Sequence, residues 1–278
     1  MKPNAYRTLA LNEEHGWYYE ARRRAIARLI DDFVRSHEAG PREPLNVVDV
    51  GCGTGGTTEF LTNYGHVTGV EPSPLAIELL KQYHPDVSVV QGGVDELSKL
   101  LPAHEYDLAT VLGVLYSSGV RDPLKGLESI RRALKPGGWL IWNEATYPFL
   151  KRQHDEFVNT ARRFYPGEMR DLLIDAGFEV VYGSHLLAWG FPVAVGLAAL
   201  YRIKQLFGLA RRVADEQDET DDRPLPEWLN DLLMRATYGE WSLGLSGVKM
   251  PVGVSYLVLA RKPQANHGVS SATVRNAA

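Results

Sequence analysis

The sequence predicts an α/β fold, a mostly parallel sheet with helices on both faces, and three observations predict it. Short apolar runs alternate strictly with helical patterns, the first run breaks into a glycine turn that opens a helix, and the second closes on an acid, Glu71. Strands and helices alternating at this pitch form right-handed βαβ units. Their strands are covered on both sides and therefore read as nearly continuous apolar stretches.

Taken in order, Ile26, Leu29, Ile30, Phe33 and Val34 repeat at helical spacing, and Gly40-Pro41 punctuates the pattern. Strand runs follow at residues 45–50, 67–70, 87–90, 108–112 and 139–142. Between them lie helical patterns at 57–64, at 74–84 with Ser73 as N-cap and Pro74 in the first turn, and at 123–134 with Asp122 as N-cap. Leu124, Leu127, Ile130 and Leu134 give the last of these one apolar face, and Lys135-Pro136-Gly137-Gly138 predicts a sharp turn after it. A helix at 169–176 stops at Gly177 and leads into a strand at 178–187, and the final strand, 254–260, comes only after a long interruption. That interruption holds an apolar helical stretch (189–209), an acid-rich run read as an exposed loop (215–222) and a second helical pattern (227–243). The expected organisation is an N-terminal helical segment (1–40), a core (41–187 with 252–262), a helical insertion over the substrate site (188–251) and a disordered tail (263–278).

The 278 residues are 45% apolar and 23% charged, as in an ordinary soluble globular protein, and the net charge of −4 provides no global field for nucleic acid. The single cysteine, Cys52, excludes an internal disulfide and a thiolate zinc cluster, and no metal-ligand spacing stands out. The first residues lack an apolar signal region, so the expected location is cytoplasmic. Residues 180–201 are uncharged, but Gly183, Gly190, Pro192 and Gly196 interrupt them. They read as a strand and then a helix packed on its own domain, with contact to a membrane surface as the alternative.

Gly51, Gly53 and Gly56 satisfy G-x-G-x-x-G. Such glycines let a backbone approach a ligand, the helix they open offers N–H groups to an anion, and Glu71 stands where an acid takes both hydroxyls of a ribose. The expected ligand is an adenosine-containing cofactor, and the glycine pattern alone also suits a nicotinamide dehydrogenase. Two features argue against that enzyme. Asp49 places a carboxylate inside an otherwise apolar strand, where it needs donors. The fifth strand ends in Asn143-Glu144 after one turn, with no second mononucleotide-binding half.

Asp49-x-Gly51-x-Gly53-x-Gly55, Val70-Glu71-Pro72 and Leu134-Lys135-Pro136-Gly137-Gly138 together resemble the successive motifs of the class I S-adenosylmethionine-dependent methyltransferases, closest to the small-molecule type 11 and 12 groups, over about residues 45–260. The resemblance implies a Rossmann-like seven-stranded sheet of order 3-2-1-4-5-7-6 with the last strand antiparallel, and S-adenosyl-L-methionine as cofactor. It puts Asp49, Gly51, Gly53 and Gly55 at the methionine end, Glu71 on the ribose and Pro72 beside the adenine, with Val94, Asp95 and Leu112 as further cofactor contacts. Gly93 departs from the Asp or Ser common at its position, and the loop 112–118 lacks the His or Glu that the family often carries near Tyr116. Glu14-His15-Gly16-Trp17-Tyr18, followed by Arg22-Arg23, resembles an aromatic and arginine segment that folds over the cofactor in some bacterial members.

Methyl transfer is an in-line displacement that depends chiefly on alignment, and it needs a base only where the nucleophile carries a proton. Tyr116, Glu144 and His15 are the candidate catalytic residues; His185 reads as hydrogen-bonded structure, and Arg22–Arg24 as a solvated helix face. Trp189, Phe191, Tyr201, Phe207, Trp228 and Trp241 either wall the substrate site or form the insertion's own core. The expected function is methyl transfer to a small, fairly apolar metabolite at oxygen, carbon or nitrogen. Nucleic acid is disfavoured because Asn143-Glu144-Ala145-Thr146 is not an Asn/Asp-Pro-Pro-Tyr/Phe motif. The rivals are a nicotinamide dehydrogenase, a cofactor-binding protein or cyclase without methyl transfer, and a membrane-surface enzyme acting on a quinone or lipid.

Overall fold

The first strand, β1 (Leu45–Val50), has its side chains divided between two cores. Val47 points into one with Ile26, Leu29, Ile141, Trp241 and Leu257, and Val48 and Val50 into the other with Val111, Leu127, Ile130 and Trp142. This is the period-two alternation of a strand covered on both sides. The computed structural model describes residues 3–36, 43–208 and 225–264, without the side chains of residues 3–5 and 15. The expectations for 215–222 and for the tail beyond 264 lie outside the described residues.

The chain begins with helices α1 (Pro3–His15) and α2 (Trp17–Leu29), the latter continued by a π-helical turn, Ile30–Val34. After β1 come α3 (Gly56–Leu61), β2 (Gly65–Glu71), α4 (Pro74–Tyr83), β3 (Ser88–Gln91), α5 (Leu97–Leu100), β4 (Tyr106–Leu112), α6 (Pro123–Ala133) and β5 (Leu134–Ala145). Then follow α7 (Gln153–Phe157), α8 (Pro166–Asp175), β6 (Glu179–Leu186), α9 (Phe191–Leu206), α10 (Glu227–Leu245) and β7 (Ser255–Arg261). The sheet order is β3-β2-β1-β4-β5-β7-β6, with β7 antiparallel to both neighbours, as the motifs imply.

Local chemistry sets the helix starts. Ser73 Oγ accepts from Ala76 N at 3.3 Å and Asp122 Oδ1 from Lys125 N at 3.2 Å, each just ahead of a proline in the first turn. One element differs from the sequence reading. The Lys135–Gly138 segment is a bulge inside β5 rather than a turn before it: Leu134 already pairs with Tyr106, and the register shifts before Leu108 meets Trp139. Gly137, at φ +81°, supplies the left-handed residue that this bulge needs.

In the insertion, α10 lies beside α2 and packs Met234, Thr237, Trp241 and Gly244 inward. A Cβ at Gly244 would meet Ser184 Oγ at 3.0 Å, so the glycine lets the helix sit close on β6. Among the described residues no helix is long and apolar enough to cross a membrane.

Trp142 is the largest fully buried side chain. It lies edge-on to Phe164 at 5.6 Å and donates its indole N–H to Glu144 at 3.2 Å. Trp142→Ala is expected to destabilise the fold by ~3–5 kcal/mol, from lost burial and the cavity it leaves, read as a lower denaturant midpoint.

Candidate functional site

Open parallel sheets bind ligands at the carboxyl ends of their strands. Here a cavity of about 930 Å³ opens at that edge, roofed by α1 and α2 and lined by residues that include Gly51, Gly53, Glu71, Pro72, Val94, Leu112, Tyr116 and Glu144. Three other sequence candidates stand back from it. Asp49 is buried beneath the glycine turn, Gly55 faces α4 (a Cβ there would meet Leu80 at 2.8 Å), and Asp95 pairs with Arg121 at 3.6 Å. The backbone of His15 ends α1; its side chain lies outside the described residues.

The glycine turn is folded by backbone bonds from Gly51 N and Cys52 N to Val70 O, at 2.7 and 3.1 Å. Gly51 and Gly53, at φ +72° and +56°, take conformations that a side chain would strain. Asp49 accepts from Thr58 Oγ1 at 2.7 Å and Thr110 Oγ1 at 2.6 Å, which ties α3 to β4. Glu71, at the end of β2, accepts from Gly53 N at 3.1 Å, Ser73 N at 3.0 Å and, more distantly, Tyr6 Oη at 3.4 Å. A carboxylate has about four lone-pair sites, so Glu71 can accept further donors. Burial raises its pKa, against the pull of the Ser73 and Gly53 N–H groups.

The N-terminus of α3, read from the sequence as free for an anion, already holds one from the protein itself. Glu13, buried on α1, accepts from Gly56 N at 3.1 Å and Thr54 Oγ1 at 2.6 Å. Burial outweighs these donors and pushes its pKa up. Arg22 corrects another expectation. It is 7% exposed, not solvated, because α2 turns it inward over the glycine turn. Its Nη2 donates to Thr57 at 3.2 Å, its guanidinium lies over the rings of Tyr18 and Tyr19, and its buried Nε has no partner. Arg23 is also turned inward, its side chain 11% exposed and donating to Glu13 O, and of the three only Arg24 is exposed; Arg23 and Arg24 both pair with Glu20.

Across the cavity, Glu144 is 1% exposed and holds the loop after β4. Its Oε1 accepts from Leu115 N at 2.6 Å, Val114 N at 3.0 Å and Trp142 Nε1 at 3.2 Å, and its buried Oε2 has no partner. Burial, only partly offset by these donors, lifts its pKa to about 7. Tyr116 titrates well above the usual phenol, by burial first and by the neighbouring Glu144 second, so its hydroxyl stays protonated. Asn143 accepts from Tyr18 Oη at 3.2 Å, and Arg163 is clamped by Asp155 at 2.7 and 3.0 Å.

None of the six insertion aromatics lines the cavity. Trp241 is core, Trp189 leans on Trp17 at 5.8 Å, Phe191 joins a cluster with Tyr147 and Phe149, Tyr201 bonds Glu156, and Phe207 and Trp228 are exposed. Among the described residues the insertion lines the cavity with Leu225, Glu227 and Asn230, and the aromatic walls come from Tyr6, Trp17, Tyr18, Tyr19 and Tyr116. His185 bonds Tyr147 Oη at 2.8 Å and Met250 O at 2.9 Å, outside the cavity. Tyr18 and Arg22 were visible in the N-terminal motif. Tyr6 and Glu13 carry no motif and reach the site only through the packing of α1.

A family model described as a methyltransferase domain matches residues 18–182. The chain is 27% identical over 217 residues to a sterol 24-C-methyltransferase of Gibberella zeae, covering 67% of this chain and 54% of that protein. It is 33% identical over 118 residues to a tRNA U34 carboxymethyltransferase of Cellvibrio japonicus, covering 40% of this chain and 35% of that protein. The chain thus spans about half or less of these relatives' lengths. The structure of a SAM-dependent methyltransferase from Thermotoga maritima, 21% identical, superposes with a TM-score of 0.55 over 93% of this chain and 95% of that one, which shows the shared fold.

Replacing Glu71 by Ala is expected to weaken binding of S-adenosylmethionine by ~1–3 kcal/mol, the cost of charge-assisted hydrogen bonds. Gly53→Val is expected to abolish binding while unfolding remains cooperative. Titration calorimetry on both variants checks this; parental affinity in both would remove the site from this turn.

Proposed function

The chain belongs to the methyltransferase-domain family, whose cofactor is S-adenosylmethionine, and from that premise we propose that it methylates a small, fairly apolar acceptor at oxygen, carbon or nitrogen. One observation carries this reading: Glu13 already fills the helix N-terminus where a dinucleotide's pyrophosphate would sit. A second anion there would face a buried carboxylate, and like charges that close are repulsive. A cationic amino acid end is instead matched by a carboxyl group at that position. The nicotinamide alternative therefore loses its binding site.

When bound, S-adenosylmethionine supplies an electrophilic methyl group on a sulfonium. In this reading Glu71 takes the ribose hydroxyls, Pro72 and Val94 flank the adenine, and the backbone of Gly51 and Gly53 borders the methionine end. Arg22, which lines the same cavity, takes the methionine carboxylate. The rings of Tyr18, Tyr19 and Trp17 exclude water from the site. Apolar Val114, Val158, Leu187 and Val254 hold the acceptor, so alignment and dryness do most of the work.

For an acceptor carrying O–H or N–H, Glu144 Oε2 takes the proton. Oε1 is fixed by three donors and Oε2 is unclaimed, so the carboxyl is oriented without being satisfied. A pKa near 7 suits a base working near neutrality. Tyr116 remains a donor beside it. The tRNA relative gives no reason to choose a nucleic acid acceptor, because its match covers only 40% of this chain and 35% of that protein.

Incubating the protein with methyl-labelled S-adenosylmethionine and apolar acceptors is expected to yield S-adenosylhomocysteine and labelled acceptor in equal amounts. Label transfer to none of them, with tight cofactor binding, would support a non-catalytic protein. Arg22→Met is expected to weaken S-adenosylhomocysteine by about ten-fold or more while leaving 5′-methylthioadenosine, which lacks the carboxylate, unchanged. With an O–H or N–H acceptor, kcat/KM should fall as pH drops below about 7, because the base must be ionised and its carboxyl is protonated below that pKa. Glu144→Gln should remove most of the rate and this pH dependence together.

A further inference from the structure

Besides Arg22, two more arginines line the cavity, and both come from the segment that follows β5. Arg152 and Arg163 stand on its wall with His154, beside Tyr116 and Val158. Arg163 is 9% exposed, and a guanidinium so buried must be paired. Its Nε and Nη2 donate to Asp155 at 2.7 and 3.0 Å, and its Nη1 donates to Thr146 O at 3.0 Å. A guanidinium carries five N–H donors, so these three bonds leave one N–H on each terminal nitrogen uncommitted. Arg163 thus reaches the wall of a cavity with two donors unspent, and such donors need acceptors.

Charge narrows the kind of acceptor. Asp155, 2% exposed, also accepts from Arg152 N at 2.9 Å, but the Arg152 guanidinium pairs with no acid among the described residues. Two cations therefore share one buried anion and leave a single positive charge. The segment's other charges, Lys151, Glu156 and Arg162, do not line the cavity. Among the described residues, four acids do. Glu13 and Glu71 are engaged at the glycine turn and α3, and Glu144 by the loop after β4. Glu227 stands one helical turn before Asn230, which takes Trp17 N at the start of α2. A doubly charged phosphate would meet Asp155 and Glu144 with too little positive charge to offset both. A carboxylate matches the single charge and can accept from two N–H groups at once.

The segment is also braced from both sides. Tyr201 and Arg202 of α9 donate to Glu156 and to Phe149 O at 2.5 and 2.6 Å, and Ala161 N donates to Tyr116 O at 2.9 Å. The arginines are thereby fixed beside the loop that Glu144 orients.

We infer that Arg152 and Arg163 form a carboxylate subsite, which takes the acid end of a ligand whose apolar body lies against Val158, Leu187 and Val254. That this ligand is the methyl acceptor rests on the methyl-transfer reading; the binding of a carboxylate does not.

Titration calorimetry on the full chain tests this with two pairs of probes, cinnamate against cinnamamide and octanoate against octanamide. Each amide keeps the shape of its acid and loses the charge. At least one acid is expected to bind about ten-fold or more tightly than its amide, and phenyl phosphate more weakly than that acid. Arg152→Gln and Arg163→Lys should each remove most of this preference, the second because an ammonium keeps the charge but not the fork. Arg152 is partly exposed, so its variant should keep the parental melting curve. The preference should persist under saturating S-adenosylhomocysteine; its loss there would put the carboxylate at the cofactor end and overturn the proposal. So would two acids no tighter than their amides, a preference that survives both substitutions, or phenyl phosphate binding tightest. The affinity for S-adenosylhomocysteine is read separately and no turnover is measured, so failure here is distinct from failure of the methyl-transfer reading.

Discussion

Four carboxylates, Glu13, Asp49, Glu71 and Glu144, are buried near the carboxyl edge of the sheet, and the cost of desolvating them constrains everything built there. Each meets that cost with donors from a different segment. Asp49 takes two threonine hydroxyls and ties α3 to β4. Glu71 takes the glycine turn and the start of α4. Glu13 takes the first turn of α3, and Glu144 takes the loop after β4. The acids thus hold the loops that shape the cavity. Burial raises the pKa of all four, and Glu13, Glu71 and Glu144 line the cavity, so a cation entering it meets groups that gain from its charge.

Much of this architecture is legible in the chain itself. Apolar runs covered on both faces leave little doubt about β1 and β4, and Ser73-Pro74 and Asp122-Pro123 mark helix starts by chemistry that acts within four residues. The glycine turn is legible because Gly51 and Gly53 take positive φ, and that geometry demands a particular residue type. The Lys135–Gly138 bulge was less so: lysine, proline and two glycines suit a turn and a bulge equally, and only pairing with Tyr106 distinguishes them.

What the sequence hides depends on which side of a helix meets the body. Arg22, Arg23 and Arg24 are chemically alike in a row, yet α2 buries the first against Tyr18 and Tyr19, turns the second onto the Glu13 carbonyl and leaves the third exposed beside Glu20. Glu13 reads as an ordinary surface acid until α1 is laid across α3. The insertion's aromatics misled in the opposite direction. Rings suited to a pocket wall serve instead as core at Trp241 and as a brace at Trp189, because α10 fills the sheet face beside α2. Composition is shared between pockets and cores, and only packing separates them.

Glu13 and Arg22 distinguish the surroundings of this glycine turn from those of a pyrophosphate site. In a pyrophosphate site the helix N-terminus must be empty and its N–H groups turned to the phosphates. Here α1 contributes a carboxylate to that position, and α2 contributes a guanidinium a short way along the same wall. The local charge pattern becomes negative at the turn and positive beside it, which matches a zwitterionic amino acid end. Because both residues come from helices that precede the sheet, the charge at this end of the cavity is set by the roof as well as by the Rossmann-like core.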